Sequence, residues 1–311
     1  MIKLGIIGYP LTHSISAAIQ KAGFESLGIE GSYDVLETQL EDLISRIKFL
    51  KTNGYNGFNV TIPLKVPMSL FLDDIDDYAN IAGCVNTVKI NEDRSFIGYN
   101  TDIYGFKKAI PNDINLVGKT ASILGTGGAS RAAVVGLAEK GIANIDFYTR
   151  NIINSRQTLE YMRAKFPQIN FNVYQIQNIR SLEESAIIVN ATPIGMRGYM
   201  AGEMPIETKD FNGLNPETVF YDIVYNPIKT IFLKEASSRG FRTIEGLDML
   251  IYQAQRAIEI WTGKIPDASI MKIEALKVLG WFSCESLIFK LQSKDKLKRA
   301  EWINYKLRLR F

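Results

Sequence analysis

A glycine-rich turn restricts the fold of this chain more than any other feature. Gly125-Thr126-Gly127-Gly128 follows an apolar, strand-like segment at residues 121–124 and opens a helical pattern that continues to about residue 140. Glycines at such a turn let the backbone approach a pyrophosphate, whose charge then meets the unpaired amides of the helix N-terminus. Ser130 replaces the third glycine of the usual fingerprint, so an ordinary tight turn stays open as an alternative. The turn predicts the strand–turn–helix unit of a dinucleotide-binding fold.

Strand-like and helical segments alternate in two series, one on each side of this turn. Strands are predicted at residues 2–8, 32–36, 57–60, 85–91, 121–124, 145–149, 187–190 and 219–224, and helices up to about 27 and at 39–51, 73–81 and 248–261. Such alternation predicts an α/β fold with mainly parallel sheets covered on both faces. We expect an N-terminal α/β substrate domain (1–103), a Rossmann-like nucleotide-binding domain (104–240), helices that return to the first domain (241–280) and a C-terminal extension (281–311).

Composition excludes several classes of protein and of site. The chain has 311 residues, of which 46% are hydrophobic and 22% charged, the balance of a globular protein large enough for two domains. Cys84 and Cys284 are the only cysteines and His13 the only histidine, so neither a disulfide framework nor a multi-histidine metal site is expected. No apolar run reaches the ~18 residues of a membrane span, and the first residues resemble a strand instead of a signal peptide. We therefore expect a cytoplasmic protein without a membrane partner or a metal.

Positive charge is concentrated in the C-terminal extension. Residues 281–311 contain eight Lys or Arg against three Asp or Glu, whereas the whole chain has a net charge of +3. The rest of the chain is therefore slightly acidic, and no nucleic-acid partner is expected. The apolar residues that recur at helical spacing in the extension, and predict a basic amphipathic helix, are Leu297, Ala300, Ile303 and Leu307. A solvated extension without a catalytic role is the simplest interpretation; packing on the core, assembly and an anionic partner stay open, as do a monomer and a homodimer.

The end of the strand that follows the glycine turn indicates which dinucleotide is bound. Cofactors without a 2′-phosphate are usually met there by Asp or Glu, which accepts hydrogen bonds from the ribose hydroxyls. In this chain Thr149 and Arg150 stand at the strand end, and Asp146 comes too early for that contact. A guanidinium suits a phosphate and stacks on adenine. Arg150 therefore predicts NADP, with a solvated surface arginine as the alternative.

Three polar segments of the first half supply donors and acceptors for a ligand with several hydroxyl groups. They are Asn59-Val60-Thr61-Ile62-Pro63-Leu64-Lys65 at a strand end, Asn86-Thr87 after the turn Ala82-Gly83, and Asn100-Thr101-Asp102 before the domain junction. Hydride addition to a ketone develops negative charge on oxygen, which needs a hydrogen-bond donor and then a proton. Lys65 can provide both, and Asp102 can orient it or relay the proton. Pro63 and Asn100 are expected to place both groups at chain turns; a surface salt bridge, which contributes about 0–1 kcal/mol, is the alternative.

The order and spacing of these motifs resemble those of the shikimate dehydrogenase family. The motifs are Gly8-Tyr9-Pro10…His13-Ser14-Ile15-Ser16, Asn59-Val60-Thr61…Lys65, Ala82-Gly83-Cys84-Val85-Asn86-Thr87, Asn100-Thr101-Asp102…Gly105-Phe106, Gly125-Thr126-Gly127-Gly128-Ala129, Asn190-Ala191-Thr192-Pro193…Gly195-Met196, Asp222…Val224-Tyr225-Asn226-Pro227 and Gly246…Met249-Leu250…Gln253. They extend over roughly residues 5–263. The resemblance implies a reversible, NADP-linked reduction of 3-dehydroshikimate to shikimate, a step in chorismate and aromatic amino-acid biosynthesis.

The resemblance also implies roles for particular residues. Lys65 and Asp102 correspond to the catalytic pair. The residues that correspond to ligands of the substrate hydroxyls and carboxylate are Ser14, Ser16, Asn59, Thr61, Asn86 and Gln253. The residues that correspond to the cofactor site are Gly125, Thr126, Gly127, Gly128, Ala129, Ser130, Thr149, Arg150, Thr192, Met196, Val224, Tyr225 and Gly246. His13 is expected to form structural hydrogen bonds in the turn before Ser14.

Departures from the family pattern lie beside the substrate serines and after Arg150. Ala17, Gln20 and Lys21 stand where the family usually has proline, histidine and asparagine, so their effect is expected on substrate affinity. Asn154 stands where a second basic residue is usual, and Arg156 is a further candidate for the 2′-phosphate. Two alternatives stay open among enzymes, a quinate/shikimate and an aminoshikimate dehydrogenase. A ligand-binding paralogue without catalysis is the alternative from another class.

Overall fold

The computed structural model describes residues 1–12, 14–177, 179 and 182–281. His13, Cys284 and the predicted basic helix of the extension lie outside these residues. Within the described residues, twelve β-strands form two six-stranded sheets, with nine α-helices and short 3₁₀ helices at Pro67–Phe71, Leu182–Glu184 and Thr208–Phe211. None of the helices in this part of the chain is long and apolar enough to cross a membrane. The same residues contain no group of three His, Cys, Asp or Glu suited to a metal ion.

The first sheet contains the strands of the N-terminal third. Strands β1–β6 span Ile2–Gly8, Gly31–Glu37, Gly57–Val60, Asp74–Ile75, Thr87–Ile90 and Phe96–Tyr99, in the spatial order β2-β1-β3-β5-β6-β4. Helices α1–α4 span Ser16–Ser26, Leu43–Thr52, Asp77–Ala82 and Thr101–Ala109. The pairs β1–β2, β1–β3 and β4–β6 are parallel, whereas β5 runs antiparallel to β3 and β6. Because β1 and β3 are parallel neighbours, the loops that follow them leave the same edge of the sheet.

The second sheet is parallel throughout. Strands β7–β12 span Thr120–Leu124, Asn144–Thr149, Asn170–Gln175, Ser185–Asn190, Val219–Asp222 and Arg242–Ile244, in the spatial order β12-β11-β10-β7-β8-β9. Helices α5–α9 span Gly128–Glu139, Ile152–Lys165, Ile231–Ser238, Gly246–Thr262 and Ala268–Val278. This is the strand order of doubly wound dinucleotide-binding folds, whose ligand lies outside the carboxyl ends of the strands where the order reverses. That point falls between β7 and β10.

Several elements differ from the sequence-based expectation. The region 73–81, predicted as one helix, contains β4 and α3, because the Asp76 carboxylate accepts a hydrogen bond from the Ala79 N–H and starts the helix there. Strands β6, β9 and β12 are not predicted by the sequence pattern. Strand β12 pairs with β11, so the second sheet continues past the expected boundary at residue 240. The return of the chain to the first sheet begins with α8.

Helix α8 connects the two halves of the molecule. It packs along α4 and against α1. Met249 belongs to the hydrophobic cluster that contains the second sheet, whereas Leu247 and Ile251 belong to the cluster that contains Leu4 of β1. Its C-terminus is capped by Gly263 in the left-handed conformation, φ +71°, which glycine adopts readily at a helix end. One rigid helix therefore carries side chains into both cores and fixes the sheets relative to each other.

Candidate active site

Lys65 and Asp102 approach each other from different elements of the first half. Lys65 lies in the loop after β3, and Asp102 lies in the first turn of α4. Lys65 Nζ is 2.5 Å from Asp102 Oδ2, and the two side chains are only 16% and 10% exposed. The expectation that Asp102 occupies a chain turn is wrong: it is on a helix, whose positive N-terminal end favours a carboxylate. The pair is a largely buried ion pair and not a surface salt bridge.

Burial and charge act in opposite directions on Lys65. Removal from water lowers the pKa of the ammonium, but the charge and the hydrogen bond of Asp102 raise it, and the net pKa lies above the ordinary value. Lys65 is therefore protonated at neutral pH and able to donate a proton. A Cβ built on Gly128 would lie 3.4 Å from Lys65 Cδ. The lysine stem thus lies beside the glycine-rich turn of the other sheet.

Asn86 holds the second oxygen of the Asp102 carboxylate. Its Nδ2 donates to Asp102 Oδ1 at 2.8 Å and to Thr101 Oγ1 at 2.9 Å. Its Oδ1 accepts from the Thr101 N–H at 2.7 Å and from Thr87 Oγ1 at 3.0 Å. Thr101 Oγ1 also donates to Gln253 Oε1 on α8, at 3.4 Å. The network thus contains three predicted site residues, Asn86, Asp102 and Gln253. It also contains Thr87 and Thr101, to which the resemblance assigns no role.

Asn59 extends this network to α1 and β2. Asn59 Nδ2 donates to the Asn86 carbonyl oxygen at 3.1 Å and to Thr87 Oγ1 at 3.0 Å. Its Oδ1 accepts from Tyr33 OH at 2.6 Å and from Gln20 Nε2 at 3.3 Å. Protein groups therefore occupy all four hydrogen-bonding positions of this amide. Gln20, a departure from the family pattern, contacts Asn59 directly, which sequence spacing alone does not reveal.

Ser14, Ser16 and Thr61 lie where β1 and β3 end, at one edge of the first sheet. Ser14 Oγ accepts a hydrogen bond from the Ser16 N–H at 3.3 Å, although the N-cap position of α1 belongs to Ile15. The Thr61 N–H donates to the Ile7 carbonyl oxygen at 2.9 Å. All three side chains are half-buried. Among the side-chain hydrogen bonds of the described residues, none joins these three predicted substrate ligands to the Asn59–Asp102 network.

The glycine-rich turn has the backbone geometry of a phosphate-binding loop. Gly125 has φ +102°, a region that favours glycine, and a Cβ there would lie 2.9 Å from Thr192 Cγ2. Gly127 is the N-cap of α5 without a side-chain cap, and a Cβ at Gly127 would meet nothing within 4 Å. The unpaired amides of the first turn therefore have room for an anion. Ser130 Oγ donates to the Gly127 carbonyl oxygen at 2.6 Å, so serine here closes the loop.

Arg150 follows β8 directly and is exposed. Strand β8 is the parallel neighbour of β7, and the Gly125 N–H donates to the Tyr148 carbonyl oxygen at 2.8 Å. Arg150 therefore leaves the sheet at the same edge as the glycine turn. Asp146 is buried within β8, where it accepts a hydrogen bond from Asn172 Nδ2 at 2.8 Å, and burial raises its pKa. Asp146 thus has a structural partner inside the sheet.

Thr149 and Arg156 lie on either side of Arg150 along the chain. Thr149 Oγ1 accepts a hydrogen bond from the Asn151 N–H at 3.3 Å, which shapes the turn that leaves β8. Arg156 is exposed on α6. Arg150 and Arg156 are therefore both exposed in the segment that follows the carboxyl end of β8.

A crevice lies outside the carboxyl ends of β7 and β10, with the glycine-rich turn on one side. The loops after β10 and β11 and the start of α8 form its other wall. A Cβ on Gly246 would lie 2.6 Å from the Val224 carbonyl oxygen, so α8 can begin here only with glycine. The Arg197 N–H donates to the Asn226 carbonyl oxygen at 2.7 Å, which joins the two loops. The predicted cofactor residues on this wall are Thr192, Met196, Val224, Tyr225 and Gly246.

Comparison with known proteins identifies the family. Residues 6–88 match the shikimate dehydrogenase substrate binding domain, and residues 246–273 match the shikimate 5'-dehydrogenase C-terminal domain. The shikimate dehydrogenase (NADP(+)) of Archaeoglobus fulgidus is 37% identical over 279 residues, which cover 90% of this chain and 99% of that protein. The chain belongs to the shikimate dehydrogenase family.

Solved structures share the fold of this shikimate dehydrogenase family member. The shikimate 5-dehydrogenase of Thermus thermophilus, in complex with NADP(H) and shikimate, is 32% identical with a TM-score of 0.76, over 89% of this chain and 100% of that chain. The 5-ketofructose reductase of a Gluconobacter species is also 32% identical, with a TM-score of 0.79, over 90% of this chain and 99% of that chain. Proteins with different named substrates thus share this fold at the same sequence identity to this chain.

Proposed function

We propose that this protein catalyses the reversible, NADPH-dependent reduction of 3-dehydroshikimate to shikimate. Membership of the family makes it an NADP-dependent oxidoreductase. The observation that carries the proposal is the buried Lys65–Asp102 pair, 2.5 Å apart, beside the glycine turn at Gly128. A proton donor thus lies next to the proposed dinucleotide site, as ketone reduction requires.

Lys65 acts as the proton donor in the direction of reduction. Bound NADPH supplies the hydride, and the charge that develops on the carbonyl oxygen needs a nearby donor. The Lys65 ammonium stabilises that charge and transfers a proton from Nζ to the oxygen. Asp102 orients the ammonium and balances its charge, and Asn86 fixes the carboxylate through Oδ1. In the reverse direction the same pair accepts the proton of the substrate hydroxyl.

The groups around this pair hold the substrate. The proposed ligands are Ser14, Ser16, Thr61, Asn86 and Gln253. The half-buried hydroxyls at the edge of the first sheet suit the substrate carboxylate, and the amides suit its ring hydroxyls. Asn86 would exchange its bond to Thr101 for a substrate hydroxyl, because both of its N–H groups are in use. Asn59, with a fully occupied amide, contributes by holding the Asn86 backbone and Thr87.

The carboxyl ends of β7 and β10 would hold NADP. The amides at the start of α5 would bind the pyrophosphate, and the open space at Gly127 provides room for it. Arg150 would bind the 2′-phosphate, with Arg156 as a second candidate, and Met196, Val224 and Gly246 would face the nicotinamide. The first two assignments rest on the glycine geometry and on the positions of the strand ends, and the nicotinamide assignment rests on the family resemblance.

We also propose the organisation of the molecule and its setting. The first sheet is the substrate domain, the second sheet is the NADP domain, and α8 and α9 return the chain to the first. The enzyme is expected to act in the cytoplasm as a monomer or homodimer on a small molecule, without nucleic acid or membrane. Light scattering of the purified chain, with and without NADPH, tests the oligomeric state.

Reduction of NADP⁺ in the presence of shikimate tests the function. We expect turnover with shikimate, measured by the absorbance of NADPH. The kcat/KM for shikimate should lie above that for quinate or an aminoshikimate. Turnover with quinate alone would contradict the substrate assignment and leave the NADP-dependent class standing. Absence of turnover with every member of this panel would favour the paralogue without catalysis.

A further inference from the structure

Asp222, at the end of β11, is a buried carboxylate that the proposed reaction does not use. It is 0% exposed, and burial raises its pKa to about 7. Thr230 Oγ1 donates to its Oδ2 at 2.6 Å, while Asn190 Nδ2 and the Val224 N–H donate to its Oδ1 at 2.9 and 3.0 Å. All three donors are neutral. Burial of a carboxylate without a cation among its hydrogen-bond donors costs folding free energy. This cost indicates that Asp222 has a role of its own in the protein.

One branch from Asp222 leads to the glycine turn. Asn190, whose Nδ2 donates to Asp222, accepts from the Thr192 N–H at 3.0 Å and from Thr192 Oγ1 at 2.7 Å through its Oδ1. Asn190 Nδ2 also donates to the Ile194 carbonyl oxygen at 3.1 Å, so the loop after β10 folds around this side chain. Thr192 in turn lies against Gly125, where a Cβ would come within 2.9 Å of its methyl group. The carboxylate is therefore connected to the proposed pyrophosphate loop.

The other branch leads to the opposite wall. The Val224 N–H donates to Asp222, and the Val224 carbonyl oxygen lies so close to Gly246 that a Cβ there would come within 2.6 Å. Thr230 Oγ1, besides donating to Asp222, accepts from the Leu233 N–H at 3.3 Å and caps α7. The position of Asp222 thus determines the distance between the loop after β10 and the loop after β11.

We propose that Asp222 is a positioning residue for the dinucleotide site, which holds the loops after β10 and β11 at the separation that NADPH requires. The inference rests on the proposed cofactor site and extends it to residues that do not touch the cofactor. Asp222 acts through Asn190 on the glycine-turn side and through Val224 on the nicotinamide side. Loss of one of its hydrogen bonds should therefore weaken NADPH binding more than it affects the chemical step.

Two buried threonines allow a matched test. Thr230 and Thr218 are both 0% exposed, and Thr218 Oγ1 donates to the Ser185 backbone carbonyl oxygen at 2.7 Å, a buried hydroxyl hydrogen bond at the opposite end of β10 and β11. Thr230→Val should raise the NADPH Kd by about threefold to tenfold, the effect of one net hydrogen bond. Thr218→Val should leave the Kd within about twofold and lower only the free energy of unfolding. Thr230→Ser, which keeps both bonds of the hydroxyl, should restore the wild-type Kd.

Fluorescence titration with NADPH measures these affinities without turnover. Asp222→Ala should raise the Kd at least as much as Thr230→Val, because it removes the acceptor of all three hydrogen bonds. The KM for NADPH should rise in both variants while kcat changes less. If Thr230→Val and Asp222→Ala bind NADPH as Thr218→Val does, the inference is overturned. Wild-type protein that binds NADPH but does not oxidise shikimate contradicts the proposed function alone, whereas failure to bind NADPH contradicts both.

Discussion

Gly105 on α4 lies directly against the backbone of α8 at Met249. A Cβ built on Gly105 would be 2.5 Å from the Met249 carbonyl oxygen and 3.0 Å from the Gln253 backbone nitrogen. Helix α4 carries Thr101 and Asp102 in its first turn, and α8 carries Gln253. The close approach of these helices therefore sets the distance between the proposed catalytic carboxylate and a proposed substrate ligand.

Replacement of Gly105 tests that dependence. Gly105→Ala should lower the free energy of unfolding by about 1–3 kcal/mol, because an added methyl group must separate two packed helices. It should also lower kcat/KM for shikimate, since the helices move apart at the site. Gly202→Ala is the control, because a Cβ at Gly202 meets nothing within 4 Å. Chemical denaturation and steady-state kinetics measure both effects, and equal results for the two variants would contradict the relationship.

Removal of the ammonium tests Lys65 as the proton donor. Lys65→Met should lower kcat by roughly 10²–10⁴, the usual range for a positioned acid–base group, with a smaller effect on substrate binding. Lys107→Met is the matched control, because Lys107 Nζ also lies 2.5 Å from a carboxylate, that of Glu139, in an ion pair on the surface. Stopped-flow and steady-state rates should separate the two variants. A kcat for Lys65→Met that stays close to that of Lys107→Met would show that Lys65 is not the donor.

The pH dependence of the reaction depends on Asp102. Burial lowers the pKa of Lys65, Asp102 raises it, and the net pKa is above its ordinary value. Asp102→Asn removes the raising contribution and leaves burial, so the pKa of Lys65 should fall. Because ketone reduction needs protonated Lys65, the alkaline limb of the kcat profile should move to lower pH in this variant. The pKa of Lys65 by NMR titration of its labelled ammonium group gives an independent measurement, and an unchanged or higher value would refute the coupling.

Arg150 is expected to distinguish the two nicotinamide dinucleotides. Arg150→Ala should weaken NADPH binding by about tenfold to a hundredfold, the loss of charge-assisted hydrogen bonds to a phosphate. The affinity for NADH, which has no 2′-phosphate, should change little and serves as the internal control. Isothermal titration of both cofactors measures the difference. Equal losses would reject Arg150 as the ligand of the 2′-phosphate, and Arg156→Ala then tests the remaining guanidinium.

Local sequence determined the parts of this protein that depend on a single turn or strand end. Glycines 125, 127 and 128 follow a buried strand and precede a helix, so backbone sterics and helix amides fix the loop wherever that unit occurs. The motifs likewise identified Lys65 and Asp102. The clustering of the polar segments does not follow from parallel strand ends alone, because Asn86 precedes β5, which runs antiparallel to β3 and β6.

Tertiary structure alone decided how these groups are held. Tyr33 and Gln20 reach Asn59 across 26 and 39 residues of chain, and Asp222 joins two loops after separate strands. Spacing in the sequence carries no signal of such bonds, because they depend on the register of neighbouring strands and on the approach of packed helices. Strand β12 forms for the same reason: three residues gain a hydrogen-bonded partner only once β11 lies beside them. The sequence therefore specified the proposed reacting groups, and long-range packing specified their geometry.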